Sequence, residues 1–265
     1  MATPRAIILS GYGINCEEET AHAFQLAGAG VDIVHINDLI DGRDSLAGYQ
    51  ILAFPGGFSY GDDTGSGNAF AHRVRNYLWE QVLAFIERDR LAIGICNGFQ
   101  MMINLGLLPA VGGYGHRQAA LIHNASARYL CRWVDLRVHG EGPWLQGLDG
   151  LSLPIAHGEG QFYAPDEILG AIQRDDLMAL TYADGEICRH LGLEPNPNGS
   201  LADIAGITDP SGRLLGLMPH PERAVAFTQL PRWTWLKEQY RRREQKIPEQ
   251  GPGLRIFQNA VRYFE

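Results

Sequence analysis

One cysteine in the chain lies in a residue pattern that is typical of an enzyme nucleophile. Cys96 is the middle residue of Gly94-Ile95-Cys96-Asn97-Gly98, between an apolar run and a helical pattern. With serine in place of cysteine, this spacing is the nucleophile elbow, a tight strand-to-helix turn whose glycines avoid Cβ clashes. The following helix directs its positive dipole end at the sulfur and favours the thiolate. Cys96 is therefore the candidate nucleophile, and the backbone N–H of Asn97 is a candidate oxyanion donor.

A buried structural cysteine at a strand end is the alternative interpretation of this pattern, so the hypothesis needs catalytic partners. The other three cysteines offer no competing site. Cys16 is followed by three glutamates, which would raise the pKa of its thiol, while Cys131 and Cys188 lie in no motif. We expect these three to be core or surface residues. No two cysteines form a CxxC pair, which argues against a zinc site and against a disulfide framework.

The candidate base is His220, because its neighbours constrain a carboxylate beside it. Pro219 and Pro221 surround this histidine and favour extended backbone. In an extended chain residues i and i+2 point the same way, so Glu222 would face the same side as His220. The carboxylate would then hold one ring nitrogen and leave the other to accept the thiol proton.

A second histidine has the same spacing to a glutamate. His157-Gly158-Glu159 is the alternative base and orienter, although Gly158 fixes the backbone less firmly than a proline does. If these residues are not catalytic, we expect them to form a turn that supports the site or a subunit contact.

Two glycines after the third apolar run are candidates for the other half of an oxyanion hole. Gly56 and Gly57 would place backbone N–H groups at the carboxyl end of a parallel strand, where sheets of this class bind ligands. One of them would pair with the N–H of Asn97; a plain turn is the alternative. Gln100, one helical turn beyond Cys96, would present its amide to a substrate or would lie solvated on the helix.

The elements that must position these residues follow a βαβ pattern. Helical stretches separate most of four short apolar runs, predicted as strands over Ala6–Leu9, Val31–Ile36, Gln50–Phe54 and Leu91–Cys96. This pattern predicts an α/β fold with a parallel sheet covered on both faces. Antiparallel strands are expected within 119–138 and 153–163, a last short strand over Leu214–Met218, and a terminal helix after Gly253.

Length and composition exclude several other classes of protein. With 265 residues the chain can bury a full core without disulfide or metal staples. Its formal net charge of −8 argues against a nucleic-acid binder. No apolar run approaches the roughly 20 residues of a membrane span, and the N-terminal run is too short for a signal peptide. Gly11 and Gly13 lack the third glycine of a dinucleotide loop, and no P-loop occurs. We expect a cytoplasmic enzyme without its own ATP or metal site.

The motifs PGGF, GICNG and PHPE resemble, in this order, those of the class I, triad-type glutamine amidotransferases. Further segments narrow the resemblance to the glutaminase subunits of phosphoribosylformylglycinamidine synthase: NCEEETAHAFQLAGA, FPGGFSYGDD, HNASARYLCRWV, PIAHGEGQFY, NPNGS and GLMPHPERA. The resemblance spans positions 5–227. The loop TGSGNAFAHR and the tail from Thr228 depart from shorter members of the family, which bears on the subunit interface and not on the triad.

The resemblance implies a flavodoxin-like fold with a mostly parallel central sheet, helices on both faces and a small antiparallel portion. It places the amidotransferase domain at 1–227 and leaves 228–265 as a C-terminal extension whose terminal helix packs on that domain. It also implies roles for six residues: the nucleophile, base and orienter Cys96, His220 and Glu222, the oxyanion donors Gly57 and Asn97, and the glutamine ligand Gln100.

The same resemblance implies partners. The chain would hydrolyse glutamine and supply ammonia to a large synthetase subunit that carries ATP and magnesium, accompanied by a small third subunit. No cofactor or metal is expected on this chain. Three alternatives stay open: a free-standing cysteine hydrolase, a regulatory subunit with a vestigial triad, and a sister amidotransferase that feeds another synthetase.

Overall fold

The computed structural model describes residues 3–265, in which strands and helices alternate over the first hundred residues. The strands are β1 (Arg5–Ser10), β2 (Gly30–His35), β3 (Ile51–Phe54), β4 (Leu91–Ile95), β5 (Ala120–His123), β6 (Leu130–Val138), β7 (Gly150–His157), β8 (Glu159–Tyr163), β9 (Met178–Ala183), β10 (Ile204–Thr208) and β11 (Leu214–Leu217). The helices are α1 (Glu17–Leu26), α2 (Ile36–Ile40), α3 (Asn68–Tyr77), α4 (Trp79–Ile86), α5 (Asn97–Leu105), α6 (Asp166–Arg174), α7 (Glu186–Leu191), α8 (Trp233–Arg242) and α9 (Leu254–Arg262).

One nine-stranded sheet forms the centre of the molecule, in the order β2-β1-β3-β4-β11-β10-β9-β6-β7. The first five strands in this order are parallel to one another, and the last four continue the sheet through antiparallel pairs. Strands β5 and β8 form a separate antiparallel pair. The order β2-β1-β3-β4-β11 of the parallel strands is that of the flavodoxin-like fold, which confirms the predicted fold class.

The central parallel strands lie in the interior because helices cover both of their faces. Every residue of β3 and β4 is buried, as expected for uniformly apolar strands in the middle of a parallel sheet. Right-handed crossovers place α1 on one face and α3–α5 on the other, since the strand order reverses direction at β1. The loops after β1, β3, β4 and β11 consequently meet at one edge of the sheet.

The start of α1 corrects a sequence-based expectation. The pattern at Asn15 and Glu18 predicts a capping box, but this prediction is wrong: the N-cap residue is Cys16, and no side chain caps the helix. The reason is a backbone contact. The N–H groups of Asn15 and Cys16 both point to the carbonyl of Gly56, at 3.4 and 3.2 Å. The loop after β1 is therefore fixed to the loop after β3, and the helix begins one residue later.

The C-terminal segment leaves the core after Ala226 and returns to it at Gln250. Ala226 and Gln250 pair as an isolated antiparallel bridge, and α8 lies between them with no buried residue. Helix α8 was not predicted, because its segment is mostly polar and rich in arginine. Beyond the bridge, α9 packs on α1, where the rings of Phe257 and Phe24 meet edge to face at 4.9 Å. The domain boundary at 227 stays a prediction. No helix within residues 3–265 is long and apolar enough to cross a membrane.

Replacement of Phe257 by alanine should lower the free energy of unfolding by about 3–5 kcal/mol, because the ring is fully buried and its loss leaves a cavity. Urea unfolding followed by circular dichroism measures this change. Leu26→Ala on the neighbouring helix is the control, since Leu26 is 49% exposed and should cost less than about 1 kcal/mol. A Phe257→Ala cost as small as that of the control would contradict the packing of α9 on this core.

Candidate active site

Cys96 lies between β4 and α5 in a strained backbone conformation. Its φ of +52° and ψ of −107° are unusual for a residue with a side chain, which is typical of an elbow that exposes a nucleophile. The flanking glycines are required by the turn, because a Cβ on Gly94 would lie 2.7 Å from the carbonyl oxygen of Gly98. The Cys96 side chain is 5% exposed, and its thiol is directed at the carbonyl of Ala156 at 3.7 Å.

His220 and Glu222 come together at the end of β11, as the sequence predicts. The Nδ1 of His220 and Oε1 of Glu222 are 2.5 Å apart, and each residue is 2% exposed. The backbone N–H of His220 donates to the carbonyl of Pro154 on β7, which fixes the turn. The Nε2 of His220 and the Oε2 of Glu222 have no hydrogen-bond partner among residues 3–265. The carboxylate therefore orients the ring and leaves Nε2 available.

The charge on His220 is set by a balance between burial and neighbouring groups. Burial lowers the pKa of His220, but the carboxylate of Glu222 and the thiols of Cys96 and Cys16 raise it, and the pKa ends well above its ordinary value. These neighbours therefore favour the imidazolium form of His220 beside Cys96. This favours transfer of the thiol proton from Cys96 to His220.

The loop after β3 brings glycine backbone to the same place. Gly57 has a φ of +155° and forms an isolated bridge with Ile14, and a Cβ on Gly57 would lie 2.7 Å from the carbonyl oxygen of Gly13. Gly57, Cys96 and His220 line one small cavity. Asn97 begins α5, so its N–H is among those without an intrahelical acceptor. Gly57 thus shares a cavity with Cys96, and Asn97 follows Cys96 directly in the chain; their role as oxyanion donors stays a prediction.

Gln100 is buried rather than solvated on its helix, which excludes one of its two interpretations. It is 4% exposed, and its Nε2 donates to the carbonyl of Glu159 at 2.5 Å. Its Oε1 accepts from Nδ2 of Asn97 at 2.8 Å, while Oδ1 of Asn97 accepts from the N–H of Ser59 at 3.1 Å. Gln100 also lines a polar pocket with Arg117 and Glu159. Its role as a glutamine ligand stays a prediction.

The alternative pair does not form. The Nδ1 of His157 lies 3.0 Å from Oδ1 of Asn124, and Oε2 of Glu159 accepts from the N–H of Ser66 at 3.1 Å. The two side chains separate because β7 ends at His157 and β8, in the other sheet, begins at Glu159. Burial, with a smaller effect of His220, lowers the pKa of His157 to about 4. His157 is therefore neutral at pH 7 and pairs with Asn124 rather than with Glu159.

Cys16, expected to be a core or surface residue, lies beside the triad. The ligand atoms of Cys16, His220 and Glu222 lie within 4.8 Å of one another, a spacing that would admit a cation. However, the hydrogen bond between His220 and Glu222 occupies Nδ1 and Oε1, and Nη2 of Arg223 donates to Cys16 Sγ at 2.9 Å. A metal would have to displace that bond and lie beside a guanidinium charge, so the donor set does not suit one.

Comparison with known proteins agrees with this geometry. A family model of the CobB/CobQ-like glutamine amidotransferase domain matches residues 3–264. The chain belongs to this glutamine amidotransferase family. It is 49% identical to phosphoribosylformylglycinamidine synthase subunit PurQ of Methanococcus maripaludis, over 98% of this chain and 97% of the relative. It is 42% identical to the protein of the same name from Dehalococcoides mccartyi, over 99% and 98% of the two chains.

Among solved structures, this glutamine amidotransferase is similar to a chain of PurLQS from Thermotoga maritima. The TM-score is 0.73 at 30% identity, and the match covers 100% of both chains. The family membership and the flavodoxin-like sheet therefore rest on sequence and on structure independently.

Sequence reasoning missed several residues that shape the amidotransferase site. Asn124 and Asn198 are buried and tie the segments HNASARYL, HGEGQFY and NPNGS together: Nδ2 of Asn124 donates to the carbonyl of His157 at 2.8 Å, and Nδ2 of Asn198 donates to that of Gly160 at 2.7 Å. Both lie in Asn-x-Ser triplets, a spacing that gives no signal for a buried hydrogen-bonding role. Cys16 and Arg223 were missed because no local spacing links positions that are 207 residues apart.

Replacement of Glu222 by glutamine should lower kcat for glutamine hydrolysis by about 10²–10⁴-fold, by analogy with loss of the orienting carboxylate in other triads. The alkaline limb of the pH–rate profile should also move to lower pH. Glu222 raises the pKa of His220, so without it the imidazolium is lost sooner as pH rises.

Steady-state kinetics between pH 5 and 10 in the assembled complex would measure both effects, with Glu159→Gln as the matched control. The carboxylate of Glu159 bonds to Ser66 and not to His220, so the control should keep the wild-type alkaline limb. An alkaline limb in Glu222→Gln that coincides with wild type would show that Glu222 does not set the charge of His220.

Proposed function

We propose that this chain is the glutaminase subunit of phosphoribosylformylglycinamidine synthase. It hydrolyses glutamine to glutamate and passes ammonia to a synthetase partner, which converts formylglycinamide ribonucleotide and ATP to formylglycinamidine ribonucleotide, ADP and phosphate. The observation that carries the proposal is the meeting of Cys96 with the buried His220–Glu222 pair and with Gly57 at one cavity. The names of relatives that match almost the whole chain support the choice of synthetase.

The first chemical step makes a tetrahedral intermediate on Cys96. His220 accepts the proton of the Cys96 thiol, and the thiolate attacks the side-chain amide carbon of glutamine, so that a C–S bond forms. The carbonyl electron pair moves to oxygen, and that oxyanion accepts hydrogen bonds from the N–H groups of Gly57 and Asn97. Each donor should contribute roughly 3 kcal/mol to stabilisation of the transition state.

The second step releases ammonia. The oxyanion collapses, the C–N bond breaks, and His220 donates its proton to the leaving nitrogen. A γ-glutamyl thioester on Cys96 remains. His220 then takes a proton from water, which attacks the thioester through a second tetrahedral intermediate. Glutamate leaves, the proton returns to the sulfur, and the thiol is restored.

The partners follow from the chemistry of the product. Ammonia is mostly ammonium at neutral pH and is then not nucleophilic, so it must reach the synthetase before it is protonated. We place ATP and magnesium on the synthetase partner and no cofactor on this chain. A protein tunnel, a small third subunit and a cytoplasmic location complete the proposal. The solved PurLQS assembly of Thermotoga maritima supports the multi-subunit arrangement.

Replacement of Cys96 by alanine should abolish synthesis with glutamine by the complex and spare synthesis with added ammonium chloride. The thiol is needed to make ammonia and not to use it. The measurement is formation of formylglycinamidine ribonucleotide by the chain together with its synthetase, ATP and formylglycinamide ribonucleotide. Cys131→Ala, which removes an exposed thiol that is not part of the triad, is the matched control and should keep both activities.

Loss of both activities in an assembled Cys96→Ala complex would contradict the assignment. Glutamine hydrolysis that is equal with and without the synthetase would favour a free-standing hydrolase or another synthetase partner. Absence of glutaminase activity in every mixture would favour a regulatory subunit.

A further inference from the structure

Cys16 is held by its backbone against the loop that carries Gly57. The residue ends the loop after β1 and is 1% exposed. Its N–H donates to the carbonyl of Gly56 at 3.2 Å, and its own carbonyl accepts from Thr20 Oγ1 at 2.7 Å. The position of the thiol is therefore set by the same contacts that set the oxyanion loop.

The thiol of Cys16 contacts the turn after β11, which carries His220 and Glu222. Its sulfur accepts a hydrogen bond from Arg223 Nη2 at 2.9 Å and donates to Asn15 Oδ1 at 3.3 Å. Arg223 directly follows Glu222 in the chain, and its Nε lies 3.8 Å from Glu222 Oε1. The guanidinium thus touches the sulfur on one side and approaches the triad carboxylate on the other.

The packing around Gly56 shows how closely these groups approach. A Cβ at this position would lie 2.9 Å from Cε1 of His220 and 3.1 Å from Sγ of Cys16. The imidazole of His220 and the thiol of Cys16 therefore both pack against Gly56 in the loop after β3. Glycine is required there because any side chain would push the base away from the elbow.

The positive charge of Arg223 also acts on the buried carboxylate of Glu222. The carboxylate of Glu222 is buried, and its Oε2 has no hydrogen-bond partner among residues 3–265. Burial lowers the pKa of Arg223, but Cys16 and Glu222 raise it, with a net increase, so the side chain stays charged. A fixed positive charge near a buried carboxylate offsets part of the desolvation cost of keeping it ionised.

We propose that Cys16 and Arg223 are positioning residues for the triad. Their contact joins the loop after β1 to the turn after β11, across the ends of β3 and β4, and so fixes the His220–Glu222 pair relative to the oxyanion loop. The inference rests on the proposed function for its reaction, glutamine hydrolysis, and on the geometry alone for its effect on Cys96. No chemistry of its own is assigned to the second thiol.

The test uses two matched pairs of variants, Cys16→Ala with Cys16→Ser, and Arg223→Met with Arg223→Lys. Serine keeps a donor and an acceptor, while alanine removes both. Lysine keeps the charge without the planar guanidinium, while methionine removes the charge. The first readout is the pH dependence of alkylation of Cys96 by iodoacetamide in the purified chain. Mass spectrometry follows the Cys96 tryptic peptide, which contains no other cysteine.

Arg223→Met should move the alkylation profile of Cys96 upward by about 0.5–1 pH unit, because loss of a nearby cation disfavours the thiolate. Arg223→Lys should recover most of that shift. In the assembled complex, Cys16→Ala should lower kcat for glutamine about tenfold with KM within about threefold, since the reacting groups are displaced but substrate contacts are kept. Cys16→Ser should recover part of the loss.

An unchanged profile in Arg223→Met together with unchanged kcat in Cys16→Ala would overturn the inference. Equal losses in Cys16→Ser and Cys16→Ala, accompanied by a fall in melting temperature, would also overturn it in favour of a purely structural role. If Arg223→Met does not fold, the alkylation profile of Arg223→Lys and the kcat values of Cys16→Ala and Cys16→Ser test the inference instead. Alkylation needs neither glutamine nor a synthetase, so failure of the proposed function leaves this readout intact.

Discussion

The backbone of Cys96 is the constraint on which the rest of the site depends. The residue leaves a fully buried central strand and immediately begins a buried helix, with a positive φ of +52°. This turn holds the thiol clear of the sheet, but it leaves no space for side chains at Gly94 and Gly98. The neighbouring strands must therefore be close, apolar and fixed, and the site needs the whole parallel half of the sheet as its support.

The sheet order explains how distant segments meet at that thiol. The loops after β1, β3, β4 and β11 lie at one edge because their strands are parallel and adjacent. Strand β7 contributes from the antiparallel part, through the contact of Pro154 with His220 and of Ala156 with Cys96. The result is a charge cluster in which the buried carboxylate of Glu222 lies between His220, whose pKa it raises, and the partly exposed guanidinium of Arg223. Such charges are stable in the interior only as a group.

Much of this arrangement could be predicted from local sequence, where a short spacing dictates geometry. The glycines around Cys96 and the prolines around His220 each act within five residues, and the structure confirms both predicted geometries. The parallel sheet, though not the order of its strands, also followed from apolar strands separated by helices. For most of the predicted strands, the observed ends differ from the predicted ends by one residue. The reason is that ladder hydrogen bonds, and not hydropathy, decide where a strand ends.

What could not be predicted depends on contacts between distant parts of the chain. The glutamates after Cys16 suggested an inert thiol, whereas the fold places Arg223 beside it. His157 and Glu159 share the spacing of the triad pair, but their strands enter different sheets and separate them. Strands β9 and β10 were missed because their short apolar runs follow no clear period, and tertiary packing defines them. Helix α8 was missed because its segment is mostly polar.

The central claim is that Cys96 carries the acyl group of glutamine. Rapid acid quench of the assembled complex with isotopically labelled glutamine, followed by peptide mass spectrometry, would locate the intermediate. The account predicts a glutamyl adduct on the Cys96 peptide, with the mass of glutamine less one ammonia, that forms and decays at rates compatible with turnover. An adduct on the Cys16 peptide, or glutamate formation with no adduct on any cysteine, would contradict it.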